Sequence, residues 1–363
     1  MNSLIKSTIK EALSNYRNIY QAPGMGFLYS NEENSYENVV GLKNVTKGNH
    51  RFNQITENSI WGIGSCTKSM TATLLTKFIE EGYFDWSSTL GDVVDAINKE
   101  RSSNFVKISP NLRNVHLENV LTHTGGIPDP YPYEDMNFNK SIENFLESGT
   151  GGDTENFQYS SIGFSTLAYL EEQLSGMRWD DFVRKNLFEP LGMDHCLIQP
   201  EVFTPSPLRD LLLMPLIPNA HVDGVPEFFN KPNHFEKANI AGGAAVLCPL
   251  NDWNKYLRYL IRGYYGEVDA DAKPISKKEN FQHLFNIKSE VNYSYGAWQL
   301  ENSGDENYYY HNGSNGGFIV LGTVDISKRE VNLVVTNGDE LSDFGSLHWI
   351  MQDIRNQIHA ILK

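Results

Sequence analysis

Trp61-Gly62-Ile63-Gly64-Ser65-Cys66-Thr67-Lys68, running directly into the apolar-periodic stretch Met70 to Ile79, is the segment on which the fold turns. The periodicity is helical, so Ser65 to Lys68 are expected at the first turn of a helix. Residues three apart share a helix face, which sets the Lys68 amine beside the Ser65 hydroxyl. A serine hydroxyl is a weak nucleophile until a base takes its proton. Lysine can be that base only if desolvation or a nearby cation lowers its pKa from the free value of about 10.4. A helix start also supplies backbone N–H groups suited to an oxyanion. Spacing alone is weak, because Ser3–Lys6 and Ser7–Lys10 share it and read as solvated residues of an N-terminal helix. Ser65 differs in its small preceding residues, the apolar helix behind it and the partners further on.

Around this segment the pattern alternates between sheet and helix. Residues 3–17 read as an amphipathic helix with Ile5, Ile9 and Leu13 on one face. Strand patterns follow at Gly26–Tyr29 and Tyr36–Val45. From about Gly64 to about Gln282 the chain reads as helices and long loops, with clear helices over 69–81, 162–175 and 251–262, the last capped by Asn251. Strands return at Tyr295–Glu301, Tyr308–His311, Phe318–Asp325 and Val331–Thr336, before a helix over 345–361. This order predicts an α+β fold: an antiparallel sheet flanked by the N- and C-terminal helices, plus a mostly helical inserted domain. Residues 1–60 with 283–363 are expected to form the sheet domain, and 61–282 the helical one. The site would lie at the seam between them, where ligand sites are favoured. Gln199 to Glu236, rich in Pro and Asn, reads as a long loop and a candidate lid.

The bulk properties exclude several classes. The chain has 363 residues, 40% hydrophobic and 12% aromatic, and a formal net charge of −15 from 30 basic against 45 acidic side chains. A chain this acidic argues against nucleic acid and anionic membrane surfaces as partners. Met1 to Arg17 lacks the continuous apolar run of a signal peptide, and no stretch is long enough to span a membrane, so cytoplasmic residence is the expectation. Cys66, Cys196 and Cys248 are odd in number and lack metal spacing; they fit buried small residues in a reducing compartment. Cys66, about 100° round the helix from Ser65, reads as packing.

Two more segments supply partners for the serine. Tyr159 precedes Ser160-Ser161 and a helix, where a phenol can exchange protons if a cation is near. His311-Asn312-Gly313-Ser314 lies at a strand end, where glycines allow a ligand close to the backbone. With these residues the chain resembles the serine β-lactamase and penicillin-binding-protein superfamily, in its class C β-lactamase-like branch of D-aminopeptidases, DD-carboxypeptidases and esterases. Ser65-x-x-Lys68 is similar to the nucleophile motif of that superfamily. Tyr159-Ser160-Ser161 looks like its tyrosine motif, which usually ends in Asn. His311-Asn312-Gly313 looks like its third motif, Lys-Thr-Gly in β-lactamases and His-x-Gly in many esterases. Leu121 to Pro128 and Ala241-Gly242-Gly243 also match, in order.

The resemblance implies roles. Ser65 would form an acyl-enzyme, with Lys68 and Tyr159 sharing the proton transfers. The backbone N–H groups of Ser65 and Ser314 would hold the oxyanion. His311 would line the site and orient Tyr159 or a substrate carboxylate, with Ser161, Asn312 and Gly313 also against substrate. No metal or organic cofactor is implied. Two departures bear on substrate. Ser161 stands where the family has an amide-holding Asn, and His311 stands where β-lactamases have a fixed cation. The expected substrate is therefore a small ester or a D-amino-acid-containing amide or short peptide. Acyl transfer or peptide cyclisation through the same serine is the alternative, and a non-catalytic sensor or assembly protein the rival from another class. Oligomeric state is left open. His123 reads as structural, holding its Gly-rich turn, and His221 as a solvated loop residue. Tyr131 and Tyr133, amid Asp129, Glu134 and Asp135, read equally as pocket rim or plain surface.

Overall fold

The computed structural model describes residues 1–99, 101–129, 138–154, 156–199, 206–227, 241–267, 274–304, 306–341 and 343–363. Tyr131, Tyr133, Glu134 and Asp135 lie outside them. Among the described residues no helix is long and apolar enough to cross a membrane.

Apolar residues at four-residue spacing (Ile5, Ile9, Leu13) drive the first helix, α1 (Asn2–Tyr20), which ends on Gln21 in the left-handed conformation. Strands β1 (Gly24–Ser30) and β2 (Ser35–Gly41) form a hairpin. Next come β3 (Trp61–Gly62), a 3₁₀ turn over Gly64–Cys66, and α2 (Thr67–Glu80). Ser65 therefore sits in a tight turn just before the helix rather than in its first turn. Helix α3 (Ser161–Ser175) starts on a Ser160 side-chain cap and stops at left-handed Gly176. β4 (Leu197–Ile198) and β5 (Val246–Cys248) join β3 in a small sheet of order β3-β5-β4. Helix α4 (Leu250–Tyr265) follows at once. Its N-cap is Pro249, not Asn251, because the helix begins one residue earlier and Asn251 donates to Glu37 instead.

Four more strands, β6 (Gln299–Ser303), β7 (Glu306–Asn315), β8 (Phe318–Asp325) and β9 (Glu330–Thr336), precede the last helix, α5 (Gly345–Leu362). They join the first two strands in one antiparallel sheet of order β6-β7-β8-β9-β1-β2. Period-two alternation sends Met25, Phe27, Ile319, Leu321 and Val334 to the face covered by α1 and α5. Leu28, Val320, Val324, Val331 and Leu333 point the other way, into the core shared with α4 and the helical region. The Tyr308-Tyr309-Tyr310 run divides by the same rule, with Tyr309 on the helical-region side and Tyr308 on the other. An α+β architecture with flanking terminal helices is thus what the alternation and helical periods produce together.

Two expectations are corrected here. Cys196 and Cys248 are disulfide-bonded across 52 residues, and Cys66 alone is a free, buried thiol. Antiparallel pairing of Leu197 with Leu247 brings the two cysteines opposite each other, a proximity that spacing along the chain could not reveal. A disulfide removes the argument for a reducing compartment, since such bonds persist in oxidising ones. Replacing both cysteines with alanine is expected to cost about 2–4 kcal/mol, the usual contribution of a disulfide. A urea midpoint equal to that of the parent would show that the bond does not form. Second, the candidate lid is not all loop. Within 206–227 it holds a helix, Pro207–Leu212, and a hairpin of Ala220–Val222 with Val225–Glu227. His221 is fully buried there, with Nδ1 against the Asn337 carbonyl at 2.8 Å and Nε2 accepting from Val45 N–H at 3.3 Å. It is a structural histidine, neither solvated nor facing substrate.

Candidate active site

The tight turn carrying Ser65 rests on β7. β6 pairs only with Glu306–Tyr310, so the rest of β7 has β8 on one edge and is free to take the turn on the other. Two glycines permit the contact. Gly64, at φ +52°, lies so close to Ser314 that a Cβ would stand 2.7 Å from its backbone nitrogen. A Cβ on Gly313 would stand 2.2 Å from the Ile63 carbonyl oxygen. Gly313 therefore packs closely against the nucleophile segment. The same contact brings the backbone of Ser314 to the backbone of the Ser65 turn, as an oxyanion pair requires. Cys66 turns away: its Sγ donates to the His311 carbonyl at 3.4 Å, and burial pushes the thiol pKa well up.

Lys68 is fully buried. Its Nζ donates to Ser65 Oγ at 3.1 Å, to Ser161 Oγ at 3.3 Å and to the Gly243 carbonyl at 2.9 Å. None of the three is a carboxylate, so among the described residues no anion in direct contact repays the lost hydration of an ammonium ion. Burial lowers the Lys68 pKa from 10.5 to about 7, against smaller opposing effects of Asp129 and Cys66. The Gly243 carbonyl is aimed by its own turn, where Thr71 Oγ1 donates to the Gly242 carbonyl at 2.7 Å and Asn315 Nδ2 to the Ala244 carbonyl at 3.2 Å.

Tyr159 lies on the other side of the amine, its ring centroid 4.7 Å from Lys68 Nζ. The side chain keeps 37% of its surface open, so a substrate can touch it. Burial of the phenolic end pushes its pKa up from 10, and a hydrogen bond with Ser65 opposes that shift. Tyr159 is thus a phenol beside a partly neutral amine. Such an arrangement would allow Lys68 to accept a proton near neutral pH and Tyr159 to donate or relay one. Tyr159→Phe is accordingly expected to slow ester turnover about 10²-fold with an unchanged melting temperature. A loss as deep as that of a Lys68 variant would mean that Tyr159 is the base instead.

His311 is placed differently from the expectation that it orients Tyr159. Its Nδ1 lies 2.5 Å from the Asn312 carbonyl and so carries the proton; its Nε2 accepts from the Tyr293 hydroxyl at 2.8 Å. Both ring nitrogens are occupied. Burial, with help from Lys68, lowers its pKa from 6.5 to about 3, so it is neutral throughout the working range. Tyr293 went unnoticed in the sequence because it lies just outside a strand pattern and in no motif. Asn312 is half-buried, with its side-chain oxygen unpartnered among the described residues. Among the described residues, no group of three or more His, Cys, Asp or Glu is placed to hold a metal ion.

A sequence profile of the family described as Beta-lactamase matches residues 9–354. Penicillin-binding protein 4* of Bacillus subtilis is 22% identical over 307 residues, 79% of this chain and 62% of the relative. The chain spans 38–62% of the length of three curated relatives that it matches. Among solved structures, a D-amino acid amidase from Ochrobactrum anthropi SV3, complexed with L-phenylalanine amide, superposes with a TM-score of 0.73 at 15% identity, over 98% of this chain and 99% of that one. A class C beta-lactamase superposes with a TM-score of 0.72 at 16% identity, covering 98% and 96%. At such identities the likeness speaks for the fold alone.

Proposed function

The chain belongs to the beta-lactamase family, and from that membership we propose a serine hydrolase that works through an acyl-enzyme on Ser65. The observation that carries the reading is the fully buried Lys68, with a pKa near 7, 3.1 Å from Ser65 Oγ. Lys68 takes the Ser65 proton as the oxygen bonds to the substrate carbonyl carbon. The resulting oxyanion is held by the backbone N–H groups of Ser65 and Ser314. Collapse breaks the bond to the leaving group, which takes a proton from Tyr159, and Lys68 returns one to Tyr159. Water then attacks the ester on Ser65 by the reverse sequence.

The substrate class follows from what the site withholds. His311 is neutral with both nitrogens in use, and Lys68 is committed to Ser65, Ser161 and Gly243. A substrate carboxylate would gain no fixed cation from either. Ser161 offers a hydroxyl, already engaged by Lys68, where an amide-holding side chain is usual. The reading is a small ester, or an amide or short peptide built on a D-amino acid, without a carboxylate next to the scissile bond. The likeness to a putative D-alanyl-D-alanine carboxypeptidase supports the D-amino-acid option.

The test sets p-nitrophenyl acetate beside nitrocefin, whose carboxylate would go unmet. One missing charge-assisted hydrogen bond costs about 1.5–3 kcal/mol, or roughly 10–10²-fold in rate. The ester is expected to react faster by at least that margin, leaving an acetyl adduct on the peptide containing Ser65. Efficient nitrocefin hydrolysis would refute the substrate reading, and an adduct on any other residue would refute the mechanism.

A further inference from the structure

We infer that His123 is a positioning residue for Tyr159, holding by two hydrogen bonds the strap Gln158–Ser160 from which Tyr159 reaches Ser65. The inference rests on the reading of Ser65 and Tyr159 as the reacting pair. His123 Nδ1 accepts from the Ser160 N–H at 3.0 Å, and the His123 carbonyl accepts from the Gln158 N–H at 2.8 Å. The residues on both sides of Tyr159 are thus tied to one partner. The His123 ring also lies against the Tyr159 ring, with centroids 4.3 Å apart and planes at 34°.

The bland alternative is that His123 holds its own Gly-rich turn. The structure assigns that work elsewhere. Thr124 N–H donates to the Asn119 carbonyl at 2.8 Å, and Gly152 N–H to the Gly125 carbonyl at 2.9 Å. The His123 side chain bonds to Ser160 instead. Because Nδ1 accepts, the ring proton sits on Nε2, and that atom is buried with no partner among the described residues. The backbone of His123 is left-handed, at φ +59°. Asparagine and glycine both tolerate that conformation, so they make a matched pair of replacements. Asparagine keeps an acceptor near the Nδ1 position, glycine removes it, and both remove the ring.

The experiment compares second-order fluorophosphonate labelling of His123→Asn and His123→Gly, each with Tyr159 and with Tyr159→Phe, alongside thermal melts. With Tyr159 present, the glycine chain is expected to react roughly 10–10²-fold more slowly than the asparagine chain, the scale of one unpaired buried N–H. In the Tyr159→Phe background that gap should shrink to about twofold or less, because the two positions act as a unit. Equal rates for the two variants with Tyr159 present would overturn the proposal, as would a gap that persists without Tyr159. If the glycine chain does not fold, the asparagine chain decides. A rate within about tenfold of the parent sustains the proposal, and a deeper loss in a folded chain overturns it. Failure of the Ser65 reading looks different: labelling of the parent would survive Ser65→Ala, whatever the His123 variants do.

Discussion

A Ser65→Ala chain is expected to lose all labelling by a fluorophosphonate probe and roughly 10⁴–10⁶-fold of its ester turnover, the scale seen when the nucleophile of a serine hydrolase is removed. The fold should survive. Ser65 contributes one hydrogen bond to Lys68, and the amine keeps the Gly243 carbonyl and Ser161 Oγ as partners. The result is discriminating because two other nucleophiles stand close. Ser161 Oγ is 3.3 Å from the same amine, and Cys66 adjoins Ser65 in the chain. Ser161, however, lies in the first turn of α3, whereas it is the Ser65 turn that packs on the Ser314 backbone. The Cys66 sulfur is buried and bonded to the His311 carbonyl, and its raised pKa leaves it a thiol. Labelling of the Ser65→Ala chain at either residue would show that the amine, and not the turn geometry, selects the nucleophile.

Much of the fold was legible because it depends on local periodicity. Ile5, Ile9 and Leu13 announce a helix by spacing alone, and the strand over Phe318–Asp325 is bounded by glycines before it and a polar turn after it. Boundaries fared worse where tertiary contact extends an element. β7 runs on to Asn315, past His311, because β8 pairs with it through the glycine-containing segment. The Asn251 cap failed for a similar reason, since Pro249 can start a helix without giving up a needed N–H. The Cys196–Cys248 bond depends on the register of two short strands in a small sheet, which no local pattern specifies.

The site divides along the same line. Ser65, Lys68 and Ser161 come together as their motifs suggest, because each sits at the start of a helix fixed by its own sequence. The roles of the histidines were not legible, since a histidine's role is set by what its two nitrogens meet. His311 meets Tyr293 and Asn312, His123 meets Ser160, and His221 meets Asn337 and Val45. All of these partners except Asn312 lie 18 or more residues away, in other elements. The resemblance to a known superfamily carried the order of motifs, and it carried nothing about which atoms those imidazoles would face.

Lys68→Met is the variant that separates base from scaffold. Methionine has similar length and no amine, so it fills the space and cannot take the Ser65 proton. Loss of a general base costs up to about 10⁴-fold, and acylation is expected to fall by roughly 10³–10⁴-fold at pH 8. The pH dependence has a definite sign. Burial holds the Lys68 pKa near 7, so below that pH the side chain is an ammonium with no lone pair, and above it an amine. Parent acylation should therefore rise with pH through about 7 and level off, while the methionine chain stays flat at its low rate. His311, neutral above about 3, adds no limb in this range. Stability should also rise with pH, over a higher window. In the unfolded chain Lys68 stays protonated to about 10.4, whereas the folded chain gives up that proton near 7. Its burial thus costs free energy in full below pH 7, and the cost fades as pH rises towards the unfolded value. The methionine chain is expected to melt above the parent at pH 6 and to lose that advantage by pH 10. A variant that is slow but melts lower at pH 6 would show that Lys68 is paired as an ammonium in the folded state. The proton acceptor would then have to be Tyr159, and the parent's pH–rate profile would be flat through 7.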